Sequence, residues 1–401
     1  MRKLTRAPAS AGPDGAPFKP QPYFDDPYLE LTRLLWEAAS LEHTLMAAYL
    51  FALFSIKDRY AKVRGDLSEY SYLKHRLGGL PEETPHSDHS MLDVTLEEML
   101  HLSYANQFLC ELGAAPNFAW HPYPQAGEVY PFPITLSPLT RKVAGQYMWV
   151  EADACALSLD ADCKHTPEQI RFIVEARRFL HIDDSSPLHV GSVYNLIIEY
   201  TDKVAANPPA FLPREFPWGE WTTRLETLKD QGEIAHFAFF KSLYTGEAFG
   251  ADARIWDNPR SEYYPALDLE VGTAFTGFEE TIRNPDAREL AWLADLHYWI
   301  LLTLLDKAYR SLDMKLRYKA IDSMTQALWP LGLHLAKVYK VGVPFDPLGP
   351  PYAIGRDGIL SEQIIRRLVL EAKACAESLG RRGLLPPDFS LKVYEVLLSG
   401  L

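Results

Sequence analysis

Long stretches with apolar residues every three or four positions dominate this sequence. The first, residues 29–60, contains no proline or glycine and places apolar residues on one face: Leu31, Leu35, Ala38, Leu45 and Tyr49. This period predicts an amphipathic helix. The same reasoning predicts helices over 90–112, 138–155, 166–180, 187–206, 219–245, 287–311, 314–340 and 361–379. No segment has the alternation typical of a β-strand, so we expect an all-α fold.

Proline-rich segments divide the predicted helices into regions. Residues 1–22 are rich in Pro, Gly and Ala and are expected to form a flexible arm. Residues 23–250 are expected to form a four-helix bundle with a long crossover connection over 114–136, which contains five prolines. Residues 251–401 are expected to form a C-terminal helical extension that packs on the bundle.

Helix ends are predicted from residues that can satisfy the free backbone groups there. Ser90 and Ser137 are expected to cap the N-termini of the helices that follow them. Gly113 is well placed to end the helix that begins after Ser90. Asp286, or a residue near it, is expected to cap the helix over 287–311.

Composition narrows the partners that we expect. The chain has 401 residues and a formal net charge of −13, which argues against a nucleic-acid partner because such binding depends on cations. Its four cysteines contain no CxxC pair, so we predict neither a disulfide framework nor a thiolate zinc site. The apolar runs are shorter than the roughly 20 residues that a membrane crossing needs. With no secretory leader apparent, we expect a soluble cytoplasmic protein with no membrane partner.

Acidic and imidazole side chains interrupt the apolar faces of three predicted helices. Glu42 lies on the stripe of the first helix, and Glu98 and His101 lie on the stripe of the second, one turn apart. A second Glu-x-x-His, Glu233 and His236, is surrounded by phenylalanines. Buried carboxylates this close together are costly unless cations compensate them. The pattern indicates a di-iron or di-manganese carboxylate site.

The remaining ligand has two candidates. Glu199 occurs in the expected chain order, but its helical neighbours are polar, as on a solvent-facing side. Glu151 shares its face with Ala144, Tyr147 and other apolar residues, so we favour Glu151. Tyr194 is expected near the level of Glu233, where it would line the pocket and act as the catalytic side chain.

Several segments resemble a known family. They are LEHTLMAAYLFALFSIK (41–57), LEEMLHLSYANQFLCELGAAP (96–116), HVGSVYNLI (189–197) and QGEIAHFAFF (231–240). Together they resemble the bacterial ferritin-like domain family that includes the iminophenyl-pyruvate dimer synthases of violacein-type biosynthesis, over residues 27–355. The resemblance implies a ferritin-like bundle with metal bound by Glu42, Glu98, His101, Glu233 and His236, with Glu151 as a further ligand. Many relatives have an insertion between the glutamate and histidine of the last motif, which this chain lacks.

The resemblance implies oxidative chemistry on a small, amino-acid-derived molecule in specialised metabolism. Our first hypothesis is an O2-dependent non-haem oxidase or oxygenase with two Fe ions, Mn being the alternative metal. The chain has no dinucleotide-binding fingerprint, so an external reductase or the substrate would supply electrons. One alternative is a non-catalytic ferritin-like metal- or ligand-binding protein, and another is an enzyme whose metal is only structural. A homo-oligomer is compatible with each hypothesis.

Overall fold

The computed structural model describes residues 22–67, 90–119, 123–124, 132–159, 162–182, 189–347 and 358–401. Nearly all of the predicted N-terminal arm lies outside these residues. Within them the fold is all-helical, with three isolated β-bridges and no strand, as predicted. The α-helices are α1 Pro27–Ser55, α2 Ala61–Arg64, α3 Met91–Glu111, α4 Arg141–Val150, α5 Pro167–Leu180, α6 Val190–Ala206, α7 Trp218–Asp230, α8 Phe237–Thr245, α9 Pro285–Ser311, α10 Met314–Ser323, α11 Trp329–His334, α12 Gly358–Arg381 and α13 Val393–Leu398.

The caps of α3 follow the prediction. The Ser90 hydroxyl accepts a hydrogen bond from the Asp93 amide, and the Asp93 carboxylate accepts one from the Ser90 amide, which makes a capping box. After the helix, Gly113 has a φ of +86°, a left-handed conformation that glycine adopts without steric cost. These two ends confine α3 to the stretch that carries Glu98 and His101.

The helices of the bundle pack around α1. The C-terminal half of α1 is buried from Leu41 to Ser55, against α3 on one side and α6 on another. α6 packs against α7, and α4 packs against α8. Helices of this length are stabilised mainly by burying an apolar face against neighbours. The side chains that point inward from α1, α3, α4 and the α7–α8 junction therefore meet in one interior.

Hydrogen bonds connect α9 and α10 to α1 and α3. The hydroxyl of Tyr298 on α9 is hydrogen-bonded to Nε2 of His43 on α1. The hydroxyl of Tyr309 on α9 is hydrogen-bonded to Ser103 on α3, and Arg317 on α10 also donates to Ser103 at 3.0 Å. These polar contacts join the α1–α3 pair to α9 and α10.

Three expectations about local structure need correction. Thr140, not Ser137, caps α4, and α4 ends at Val150 because the Asp153 side chain accepts from the amides of Cys155 and Ala156 and forms a turn there. The cap of α9 lies where it was expected: Asn284, two residues before Asp286, accepts hydrogen bonds from the amides of Asp286 and Ala287. The expected absence of disulfides is wrong, since Cys155 and Cys163 are bonded to each other.

Two predicted helices, over 219–245 and 314–340, are interrupted by turns in which the hydrogen bonds have π-helical spacing. A π-helical turn over Gln231–His236 joins α7 to α8, and two more, Met324–Leu328 and Leu335–Tyr339, flank α11. No helix in the described ranges combines the length and apolar character that a bilayer crossing requires.

Candidate metal centre

Five of the six predicted metal ligands converge in the interior of the bundle. They are Glu42 from α1, Glu98 and His101 from α3, Glu151 at the C-terminal cap of α4, and His236 from the π-helical turn. None of the five exposes more than 3% of its surface. Burial of three carboxylates and two imidazoles in an apolar interior is unfavourable unless each charge is compensated.

The five side chains form two groups that share Glu98. One group is Glu42, Glu98 and His101, and the other is Glu98, Glu151 and His236. In each group, one ligand atom per residue lies within 4.8 Å of the others. The Nδ1 atom of His101 is 3.3 Å from Glu98 Oε2, and the Nδ1 atom of His236 is 2.9 Å from Glu98 Oε1. Glu98 therefore directs one oxygen to each group, as a carboxylate that bridges two cations does.

Hydrogen bonds on the outer side hold both imidazoles in place. His101 Nε2 is 3.1 Å from the side-chain oxygen of Gln231, and His236 Nε2 is 2.8 Å from Glu97 Oε2. With the Nε2 atoms engaged in this way, both Nδ1 atoms face the carboxylates. Metal-binding histidines are commonly oriented by such an acceptor on the opposite nitrogen.

Tyrosines orient the two outer carboxylates. Tyr194 donates to Glu42 Oε1 and Tyr49 donates to Glu151 Oε1, each at 2.5 Å. In both cases the other oxygen, Oε2, is the one closest to the imidazole of its group. Each carboxylate thus has one oxygen engaged by protein and one directed into the site.

The electrostatics of the cluster favour bound protons when no cation is present. Burial raises the pKa of Glu42 to about 8, and the Glu98 charge adds to that rise. Burial lowers the pKa of His101, but the Glu98 charge and the contact with Glu42 overcome it and raise the pKa to about 10. Burial opposes ionisation of Glu98, yet the charge on His101 holds the pKa of Glu98 well below its usual range. Cations would replace these protons on binding.

The donor atoms fit a metal pair. Glu42 Oε2, Glu98 Oε1 and His236 Nδ1 are buried and have no hydrogen-bond partner. The last two are only 2.9 Å apart, but their orientation is not that of a hydrogen bond. Buried polar atoms without partners are rare and costly. Carboxylate oxygens and imidazole nitrogens that point at one space are the donor set that iron and manganese accept.

Glu233, the sixth predicted ligand, lies beside the two groups and not within them. In the π-helical turn, hydrogen bonds run from i to i+5, so Glu233 and His236 no longer project from one face. The half-buried Glu233 carboxylate lines the pocket next to Lys229 and packs on Gly191. A Cβ atom at Gly191 would lie 1.9 Å from Glu233 Oε1, so only glycine permits this close approach.

The structure also separates the two candidates for the remaining ligand. Glu151 is buried and belongs to the second group. Glu199 lies on the outer side of α6, 2.8 Å from Lys203, and its side chain is 42% exposed. The polar neighbours of Glu199 in the sequence reflect this surface position.

Three residues of the site were missed by sequence reasoning. Glu97 precedes Glu98 and projects about 100° away from it around the helix, so the apolar face does not point to it. Tyr49 fits the apolar face of its helix as a core residue. Gln231 stands two residues before Glu233 in the quoted motif, but nothing in the spacing marks its contact with His101. Each acts through a partner from a distant part of the chain, which a local period does not reveal.

Comparison with known proteins supports the same assignment of fold. A family model described as Ferritin-like matches residues 35–245, which is more than half of the 401-residue chain. The match is to the family as a whole and does not single out the iminophenyl-pyruvate dimer synthases. Searches of curated proteins and of solved structures found no match.

Proposed function

The chain belongs to the ferritin-like family, and from that premise we propose that it is a non-haem di-iron oxidase or oxygenase. One observation carries the proposal: two buried groups of ligand atoms share the Glu98 carboxylate. Glu42, Glu98 and His101 would hold one metal, and Glu98, Glu151 and His236 the other. When bound, two reduced irons supply the electrons and coordination positions that O2 chemistry needs.

The number of protein ligands favours catalysis over a purely structural site. Each group provides three residues, which leaves positions open on an iron ion for O2 or a substrate. A narrow pocket reaches the ligands and is also lined by Val190, Gly191 and Leu228; it contains about 270 Å³ of space not filled by protein atoms, part of it open to solvent. Its apolar residues would keep bulk water away from the reacting atoms. We propose a small molecule of amino-acid origin as the substrate class, in line with the family resemblance.

The tyrosines and Glu233 have defined tasks in this proposal. Burial raises the pKa of both phenols well above the usual value, so Tyr194 and Tyr49 stay protonated. Tyr194 donates its proton in a hydrogen bond to Glu42 Oε1, and Tyr49 donates to Glu151 Oε1. They would keep the carboxylates oriented and could return a proton to the site. Burial also raises the pKa of Glu233, which places a protonatable carboxyl at the pocket wall.

Metal stoichiometry tests the proposal. After anaerobic loading with Fe(II) and removal of excess iron, we expect elemental analysis to find about two irons per chain, one for each ligand group. Glu98→Ala removes the shared ligand and should abolish binding at both sites. Glu199→Ala, a glutamate on the surface of α6, is the matched control and should bind iron like the wild type.

Two outcomes would count against the proposal in different ways. A folded wild-type chain that takes up no iron or manganese would refute the metal centre itself. An iron-loaded chain that consumes no more O2 than the Glu98→Ala variant, with ascorbate as reductant, would instead favour the non-catalytic metal-binding protein.

A further inference from the structure

A second pocket lies where the C-terminal helices meet α1 and α3. It contains about 700 Å³ of space not filled by protein atoms, part of it open to solvent. Met46 and Met99 form the wall on the bundle side, and Leu302 and Met324 belong to the opposite wall. Among the described residues, none lines both this pocket and the one at the metal ligands. The two spaces are therefore distinct, although α1 and α3 contribute to both.

Three polar side chains of this pocket, Arg317, Ser103 and Tyr309, form one cluster. Arg317 donates to Ser103 Oγ at 3.0 Å, and Ser103 is hydrogen-bonded to the Tyr309 hydroxyl. The Arg317 guanidinium carbon lies 5.2 Å from the centre of the Tyr309 ring. Of the described side chains that line the pocket, Arg317 is the only one with a formal charge, and the remaining surface is almost wholly apolar.

We propose that this pocket binds a small apolar carboxylate. The apolar body would lie among the methionine and leucine side chains, and the carboxylate would lie against Arg317, Ser103 and Tyr309. A guanidinium matches the planar geometry of a carboxylate, and hydroxyl donors can complete its hydrogen bonds. Apolar pockets with a few convergent polar groups are the usual form of small-molecule sites. A cationic ligand would be repelled by Arg317. The proposal does not depend on the metal centre.

Calorimetric titration of the full chain with phenylacetate tests this site. We expect phenylacetate to bind the wild type, and Arg317→Gln to weaken binding by at least about tenfold because a charge-assisted contact is lost. Phenylacetamide, which has a similar shape but no charge, should bind the wild type more weakly and should not discriminate between the two proteins.

Arg224→Gln is the matched control for charge. Arg224 stacks on Trp221. It lies near Arg317, since the charges of both arginines act on the Tyr104 phenol and lower its pKa, while burial raises it. It does not line the pocket. This variant removes the same unit of charge nearby and should bind phenylacetate like the wild type.

Two further variants separate this site from the metal centre and from unfolding. Ala320→Leu places a larger side chain in the pocket wall and should weaken both probes, while a thermal unfolding curve verifies that the variant is folded. Glu98→Ala should leave phenylacetate binding unchanged. No binding to the wild type, equal affinity in Arg317→Gln, or loss of binding in Glu98→Ala would each overturn the proposal. The Glu98→Ala result also distinguishes failure here from failure of the proposed di-iron function.

Discussion

Glu97 and Glu98 are neighbours on α3 but contact different sides of the same imidazole. Glu98 Oε1 lies 2.9 Å from His236 Nδ1, whereas Glu97 Oε2 lies 2.8 Å from His236 Nε2. Consecutive residues project about 100° apart around an α-helix, which lets the two carboxylates reach around the ring. His236 thus depends on α3 both for its partner inside the site and for its orientation.

We predict that Glu97→Gln weakens metal binding at the His236 group by about tenfold, because the imidazole loses the charged acceptor that orients it and raises its basicity. Titration against a competing chelator would measure the two affinities. The site that contains His101 should change less, since Gln231 is the acceptor there. Glu226→Gln, an exposed position on α7, is the control. An unchanged affinity at the His236 group would show that Glu97 does not orient that ligand.

The spacing of apolar residues along each helix was enough to indicate which residues face the interior, but not which residues they contact there. The apolar stripes of α1 and α3 pointed to Glu42, Glu98 and His101, and the apolar face of α4 separated Glu151 from Glu199. The structure brings these side chains together, and their role as ligands stays a prediction. Glu97 could not be found in this way, because its partner His236 lies 139 residues away in sequence.

At the scale of elements, the two Glu-x-x-His motifs differ because only the first lies on a regular α-helix. On α3 the i, i+3 spacing places Glu98 and His101 in one group. The π-helical turn over Gln231–His236 widens the second motif and directs Glu233 to the pocket wall. Residue propensities do not predict a π-helical turn, because such a turn depends on how the flanking helices, here α7 and α8, pack on their neighbours.

The cap of α4 provides a test of the element that positions Glu151. Thr140 Oγ1 accepts a hydrogen bond from the Val143 amide at 3.2 Å, and Ser137 Oγ is hydrogen-bonded only to Thr135 among the contacts resolved for it. We predict that Thr140→Ala lowers the free energy of unfolding by about 1 kcal/mol. Ser137→Ala should change it by less than about 0.5 kcal/mol. Urea unfolding monitored by circular dichroism would measure both, and a larger loss for Ser137→Ala would contradict the assignment of the cap.

At the scale of the whole molecule, one buried histidine joins four C-terminal helices. His297 on α9 contacts Ser323 on α10 through Nδ1 at 3.0 Å and Tyr394 on α13 through Nε2 at 2.9 Å. Tyr394 in turn donates to the Ala372 carbonyl on α12. The Ser323 hydroxyl also donates to the backbone carbonyl of His297 at 3.2 Å. His297 is completely buried, and burial favours the neutral imidazole over the charged one.

The number and approximate position of the long helices followed from the sequence, but their assembly did not. The spacing of apolar residues in α9 predicts an apolar face, but it does not predict that Tyr298 forms a hydrogen bond with His43 on α1. The last helix, α13, has six residues and is too short to give a periodic signal. The Cys155–Cys163 pair was equally hidden, since a spacing of eight residues becomes a bond only through the turn after α4.

The neutral state of His297 predicts how stability depends on pH. Burial lowers the pKa of His297 to about 3, against an ordinary value near 6.5. Between these values the unfolded chain binds a proton at this residue that the folded chain does not, so the free energy of unfolding falls as the pH falls below 6.5. His297 alone should lower the free energy of unfolding by about 2 kcal/mol between pH 6.5 and pH 5, at roughly 1.4 kcal/mol per pH unit.

The variant His297→Gln retains a donor and an acceptor but cannot be protonated, so its free energy of unfolding should fall by about 2 kcal/mol less over this interval. Urea unfolding of the wild type and the variant between pH 5 and pH 7.5 measures the difference. His189 is also buried, which lowers its pKa to about 4, but it contributes equally to both proteins and cancels from the comparison. Parallel pH profiles for the two proteins would mean that His297 is protonated in the folded chain and that the network around it differs from the one described.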